Sequence, residues 1–142
     1  MQLALEQAKL AYRSGEVPVG AIVERQGEVI SSAHNLVEAM RDPSAHAETL
    51  AIRQACQALG RKWLDDCRLF VTLEPCAMCA GLVSHARIKT LVYGAYDAKS
   101  GGVDHGACVL SHHQSHHKPE VVSGILEADC AKLLKDFFES RR

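Results

Sequence analysis

Apolar residues recur at Met1, Ala4, Leu5, Ala8, Ala11 and Tyr12 and the pattern stops at Gly15, so the chain is expected to open on an amphipathic helix. Two strand-like runs follow, VPVGAIVE and GEVISSA, joined at Arg25-Gln26-Gly27, where the glycine suits a tight hairpin. Asp42-Pro43 is a helix start signal: the carboxylate can cap, and proline is tolerated at the first helical position. The helix it opens is expected to reach about Leu59, with Gly60 as its stop. Residues 68–73 (RLFVTL) read as a buried strand, Pro75 opens a further helix through about Ala86, and residues 89–93 (KTLVY) read as another strand. From Ala95 to about Lys118 there is no clean periodicity, and a loop of that length inside a compact domain is more often functional than idle. The chain closes on a helix with Leu126, Cys130, Leu133, Leu134 and Phe137 along one face, followed by Arg141 and Arg142. Strands alternating with helices predict an α/β layered domain. With no internal repeat and no linker, a single domain over residues 1–142 is expected.

Composition narrows the function classes. The 142 residues are 47% hydrophobic and 23% charged, an ordinary globular balance. A formal net charge of -1 gives no global attraction to polyanions, so any nucleic-acid binding must come from a local basic patch. The N-terminus lacks a basic leader with an unbroken apolar run, and no stretch is long and apolar enough to span a membrane, so a cytoplasmic location is expected. In a reducing compartment the six cysteines point to metal binding or burial and not to disulfides. Cys76 and Cys79 stand apart by their spacing; Cys56, Cys67, Cys108 and Cys130 lie singly among apolar neighbours and are expected in the core.

The chemistry concentrates in His46-Ala47-Glu48 and Pro75-Cys76-Ala77-Met78-Cys79. Each is expected at the N-terminal end of a helix, and such ends in an α/β sheet face the crevice where ligands bind. Cys76 and Cys79, three apart on a helix, can hold one ion, and the positive end of the helix favours thiolate. His46 would add a nitrogen ligand, and this soft mixed set selects zinc over magnesium or calcium. Three protein ligands leave a fourth position for water, the mark of a catalytic site, and zinc acidifies that water toward neutrality. Glu48 is poorly placed as a second ligand but within reach of the water, which suits a proton shuttle to the ring nitrogen and then to the leaving amine. Either motif alone is weak, since C-x-x-C is also a redox pair and H-x-E recurs by chance. Together, in this order and with proline before the first cysteine, they match the signature of the zinc deaminases. A binding module stapled by zinc would instead need a fourth protein ligand, with Cys108 or His85 the nearest by type. His112, His113, His116 and His117 crowd one segment, which reads as a solvated loop more readily than as a second metal site.

The segments EVPVGAIV, HNLVEAMRDPSAHAE, LFVTLEPCAMCAG, RIKTLVYGAYDAKSGG and GILEADCAKLLKDFFESRR resemble the bacterial tRNA adenosine deaminases, which convert a wobble adenosine to inosine. The HAE and PCxxC motifs would suit any member of the cytidine deaminase-like superfamily; DAKSGG and the closing FFESRR discriminate. The resemblance implies a three-layer α/β fold with a mixed five-stranded sheet flanked by helices. It also implies one zinc per subunit on His46, Cys76 and Cys79, with proton transfer by Glu48. It implies that Asn35 touches the target nucleoside and that Asp97 and Lys99 contact its neighbours or backbone. Phe137, Phe138, Arg141 and Arg142 would belong to the RNA-binding end of the last helix. Of the two aromatics, Phe137 continues the apolar stripe, which leaves Phe138 as the stacking candidate. The family acts on a tRNA anticodon stem-loop as a homodimer. The alternative within the superfamily is a deaminase of a free nucleobase or nucleoside, such as guanine or cytosine, which would not need Asp97, Lys99, Arg141 and Arg142.

Overall fold

The computed structural model describes residues 1–142. Helix α1 (Gln2–Arg13) buries Ala4, Leu5, Ala8 and Ala11, the stripe expected from the sequence. Its small side chains let it lie directly on strand β1 (Gly20–Arg25): a Cβ at Gly20 would collide with the Ala4 carbonyl and come within 2.6 Å of the Ala8 nitrogen. Strand β2 (Glu28–His34) returns antiparallel to β1 through Gln26 and Gly27, both at positive φ, which matches the right-handed twist of a two-residue hairpin. The β1–β2 register is interrupted between Val23 and Glu24.

A short helix, α2 (Val37–Met40), follows β2 and carries no sequence signal of its own. Helix α3 (Ala47–Leu59) begins four residues later than Asp42-Pro43 predicts. The Asp42 carboxylate is taken up locally, accepting hydrogen bonds from the Ser44 nitrogen at 2.8 Å and the Ser44 hydroxyl at 2.7 Å, so it makes a turn and caps no helix. His46 stands at the cap position instead, and Gly60 ends the helix at φ 66°. Strand β3 (Arg68–Leu73), helix α4 (Ala77–His85) and strand β4 (Thr90–Ala95) lie close to their expected bounds, although α4 starts after Cys76 and not at Pro75. After a loop with a single 3-10 turn, the three-residue strand β5 (Glu120–Val122) and helix α5 (Glu127–Glu139) complete the chain.

All five strands join one mixed sheet in the order β2-β1-β3-β4-β5, antiparallel from β2 to β3 and parallel from β3 to β5. Helices α1 and α5 cover one face and touch each other; α3 and α4 cover the other. The main core lies under α3 and α4, where Ala51, Ile52, Ala80 and Val83 meet Val23, Leu69, Val71, Leu91 and Tyr93. Cys67 and Cys130 are buried as expected; Cys56 and Cys108 are only partly covered, and each thiol faces a nearby backbone carbonyl, of Lys62 and His105 respectively. No helix is long and apolar enough to cross a membrane.

Candidate active site

Strands β3 and β4 run parallel, so their carboxyl ends open side by side, and Leu73 pairs with Ala95 at that edge. A crevice outside such ends is where α/β sheets bind ligands. The chain leaves β3 as Glu74-Pro75-Cys76 and enters α4, leaves β4 as Tyr96-Asp97, and delivers His46 from the opposite flank at the start of α3. His46 and Cys76 both take the extended cap conformation, so each side chain projects past its helix end toward the other.

The Cys79 sulfur lies 3.5 Å and the Cys76 sulfur 3.7 Å from the His46 Nδ1. The three ligand atoms all lie within 4.8 Å of one another, a group able to hold a metal ion. A tetrahedral zinc with bonds of ~2.3 Å to sulfur and ~2.0 Å to nitrogen needs a sulfur–nitrogen separation of about 3.5 Å, so the donor set fits. The electrostatics point the same way. The neighbouring Cys79 thiol, with help from His46, holds the Cys76 thiol well below its ordinary range against burial. The proximity of Cys76 and burial push Cys79 up, and contact with Cys76 raises His46. A dication between the sulfurs would let both ionise. Thr49 places its hydroxyl 3.8 Å from the Cys79 sulfur.

Glu48 is not part of that group. Its side chain is 4% exposed, on the first turn of α3, and burial pushes its carboxyl up to about 7, a value matched to proton transfer near neutral pH. Glu48, His46 and Cys76 form part of the lining of a cleft of about 560 Å³ whose walls also carry Asn35, Asp97 and Arg141. Neither His85 nor Cys108 joins the sulfur–nitrogen group, so no fourth protein ligand closes it.

The model of the MafB19-like deaminases matches residues 1–142. The tRNA-specific adenosine deaminase of Agrobacterium fabrum is 45% identical over 142 residues, covering 100% of this chain and 93% of the relative. A structure solved in a study of A-to-I editing at the wobble position of transfer RNA superposes with a TM-score of 0.93 at 46% identity, covering 94% of this chain and 97% of that one. The chain belongs to the tRNA-specific adenosine deaminase family. A guanine deaminase from Bacillus subtilis is a more partial likeness, with a TM-score of 0.64 at 40% identity over 67% of this chain and 61% of that one.

Within this deaminase the remaining candidates divide. Asn35 is buried and faces the cleft. Phe137 is both a core residue, 4% exposed, and a wall of the cleft, and the Arg141 guanidinium stacks 4.0 Å over its ring. Lys99, Phe138 and Arg142 are exposed and lie outside the cleft lining. The histidine loop forms no metal group: His117 Nε2 binds the Ile88 carbonyl at 2.6 Å, and His112 stacks on His113.

Two carboxylates of the deaminase's cleft carry no motif. Glu16, 1% exposed, accepts the backbone N–H groups of Glu38 at 3.2 Å and Ala39 at 2.7 Å and so holds α2 beside the cleft. Glu74, 2% exposed, is held below the ordinary carboxyl range: burial raises it, but His105 and the backbone N–H groups of Asp97, His105 and Val103 outweigh that. Neither carries a local sequence signal that singles it out.

Proposed function

We propose that this hydrolase deaminates adenosine to inosine at the wobble position of a tRNA anticodon. The observation that carries the reading is the meeting of His46, Cys76 and Cys79 with buried Glu48 at one cleft rimmed by Asn35, Asp97 and Arg141. The names of the full-length relatives give the substrate class.

Zinc, one per subunit, is the ion that suits two sulfurs and an imidazole, and when bound there it supplies a water acid enough to ionise near neutral pH. As the water's oxygen adds to the carbon that bears the amine, Glu48 would take the water's first proton to the adjacent ring nitrogen, and would then carry the second, from the added hydroxyl, to the amine, which leaves as ammonia as the carbonyl forms. Val17, Val19 and Leu73 give the cleft apolar walls against which a base can lie, and the Asn35 amide can hydrogen-bond the nucleoside. Asp97 and Arg141 at the rim, with Lys99, Phe138 and Arg142 beyond it, would hold the flanking RNA. Lys99, Arg141 and Arg142 take no part in any intramolecular ion pair, which leaves them available to phosphates. The whole chain acts as one domain, supported by its single sheet. It works in the cytoplasm, where its RNA substrate is made. It acts as a homodimer, because one small cleft offers less surface than a several-nucleotide loop needs; sedimentation at micromolar concentration should then exceed the 15.5 kDa of one chain.

The second reading, a free-base deaminase, has in its favour the partial likeness to a guanine deaminase and a cleft floor that any purine could enter. The exposed Lys99, Phe138 and Arg142 count against it, since a free base would not reach them. Inosine formation on an anticodon stem-loop with adenosine at the wobble position, set beside free adenosine, cytidine and guanine, decides between the two. Turnover of the free compounds alone would overturn the RNA reading.

A further inference from the structure

Resting on that reading of the cleft, we propose that Glu74 is a positioning residue: its carboxylate folds the segment from Asp97 to His105 into the RNA-facing loop and thereby sets Asp97 at the cleft. The Glu74 side chain is fully buried at the point where β3 gives way to Cys76. Its two oxygens accept five hydrogen bonds, all from beyond β4. Oε1 takes the Asp97 nitrogen at 3.1 Å and the His105 Nδ1 at 2.8 Å. Oε2 takes the nitrogens of Val103 at 3.2 Å, Asp104 at 3.0 Å and His105 at 3.0 Å. No lysine or arginine pairs with it. A lone buried carboxylate ringed by backbone donors stabilises one loop conformation, because every donor must converge on the same two atoms.

Asp97 then organises the turn. Its carboxylate accepts the nitrogens of Lys99 at 3.1 Å and Ser100 at 2.9 Å, and its carbonyl accepts that of Gly101 at 2.9 Å. The turn sits hard against the ligand-bearing helix. A Cβ at Gly101 would collide with Glu74 Oε2, and one at Gly102 would come 2.5 Å from the Ala77 nitrogen and 2.8 Å from the Cys76 carbonyl carbon. One residue, two positions before a cysteine of the sulfur–nitrogen group, therefore fixes where the RNA-facing loop lies relative to that group. Glutamine cannot replace it: an amide offers one accepting oxygen and turns an N–H₂ toward backbone N–H groups that need an acceptor.

The test is steady-state inosine formation on the wobble-adenosine stem-loop by wild type, Glu74→Gln, Asp97→Ala and the double variant, with zinc content measured on each. Glu74→Gln should keep zinc at the wild-type stoichiometry and raise KM about tenfold with a smaller change in kcat. The double variant should have a KM close to that of the worse single variant, because both changes remove the same contact. His105→Ala deletes one of the five donors at a half-exposed side chain and should raise KM in the same direction by about threefold, which serves if Glu74→Gln folds poorly. An unchanged KM in His105→Ala or in folded Glu74→Gln overturns the role, as do KM effects of Glu74→Gln and Asp97→Ala that multiply. Wild type that turns over no stem-loop overturns the proposed function itself and this role with it, whereas failure in the variants alone leaves the proposed function standing.

Discussion

Glu48 and His46 stand two positions apart at the head of one helix, yet the cleft gives them different surroundings. His46 aims its Nδ1 at two sulfurs; Glu48 is buried outside that group with its carboxyl near 7. Glu48→Ala should therefore keep zinc and RNA binding while turnover falls at least ~10²–10⁴-fold, the usual worth of a positioned acid or base. His46→Ala should lose zinc and turnover together, and should lower the melting temperature of the holoprotein. Metal content and inosine formation measured on both variants check this; loss of zinc from Glu48→Ala would make Glu48 a ligand. The grouping of His46 with Cys76 and Cys79, and Glu48 buried beside it, is legible in the sequence because each motif sets fixed residue types at short, fixed spacing. Glu16 and Glu74 are not, because their partners are backbone N–H groups 22 to 31 residues away, and nothing local marks a carboxylate that long-range folding will surround.

The elements differ in how far periodicity reveals them. Helices α1 and α5 and strands β1, β3 and β4 are long enough for an apolar pattern to repeat, which reveals them, although β1 begins at Gly20, three residues after its apolar run starts at Val17. Strand β5 has three residues and exists because β4 offers it an edge, and α2 exists because Glu16 holds its first N–H groups. At the end of the sheet away from the cleft, Asp66 joins Arg25 at the end of β1, at 2.6 Å, to Arg61 beyond α3. The Arg25 hydrogen bond, with Arg61 adding to it and burial opposing, lowers Asp66 from 3.8 to about 2. A depressed carboxyl stabilises the fold above its unfolded pKa, and that stabilisation disappears as pH falls through the folded value. Asp66→Asn should thus cost no more than about 1 kcal/mol at pH ~6, since the pair is over a third exposed and screened, and the difference should shrink between pH ~4 and ~2. Urea unfolding across that range measures it; a gap that stays constant would remove the ion pairs as its source.

For the whole molecule, a net charge of -1 means that the proposed RNA binding would rest on the cations around one cleft. Replacing Lys99, Arg141 and Arg142 with alanine should reduce the slope of log affinity against log salt by about 2, at ~0.7 for each phosphate contact to a single strand, with zinc content unchanged. Filter binding of the stem-loop across a salt series checks this, and an unaltered slope would take these residues off the RNA surface. The outer strands of the sheet bear on a different hazard. Any strand with one free side is a template onto which another chain's strand can add, and long flat ones are the worst. Here β5 offers only three residues, and β2 is paired through a hairpin whose interrupted register between Val23 and Glu24 adds twist. Neither border presents a long straight ladder, so crowded copies of this chain gain little by knitting their sheets edge to edge into fibrils.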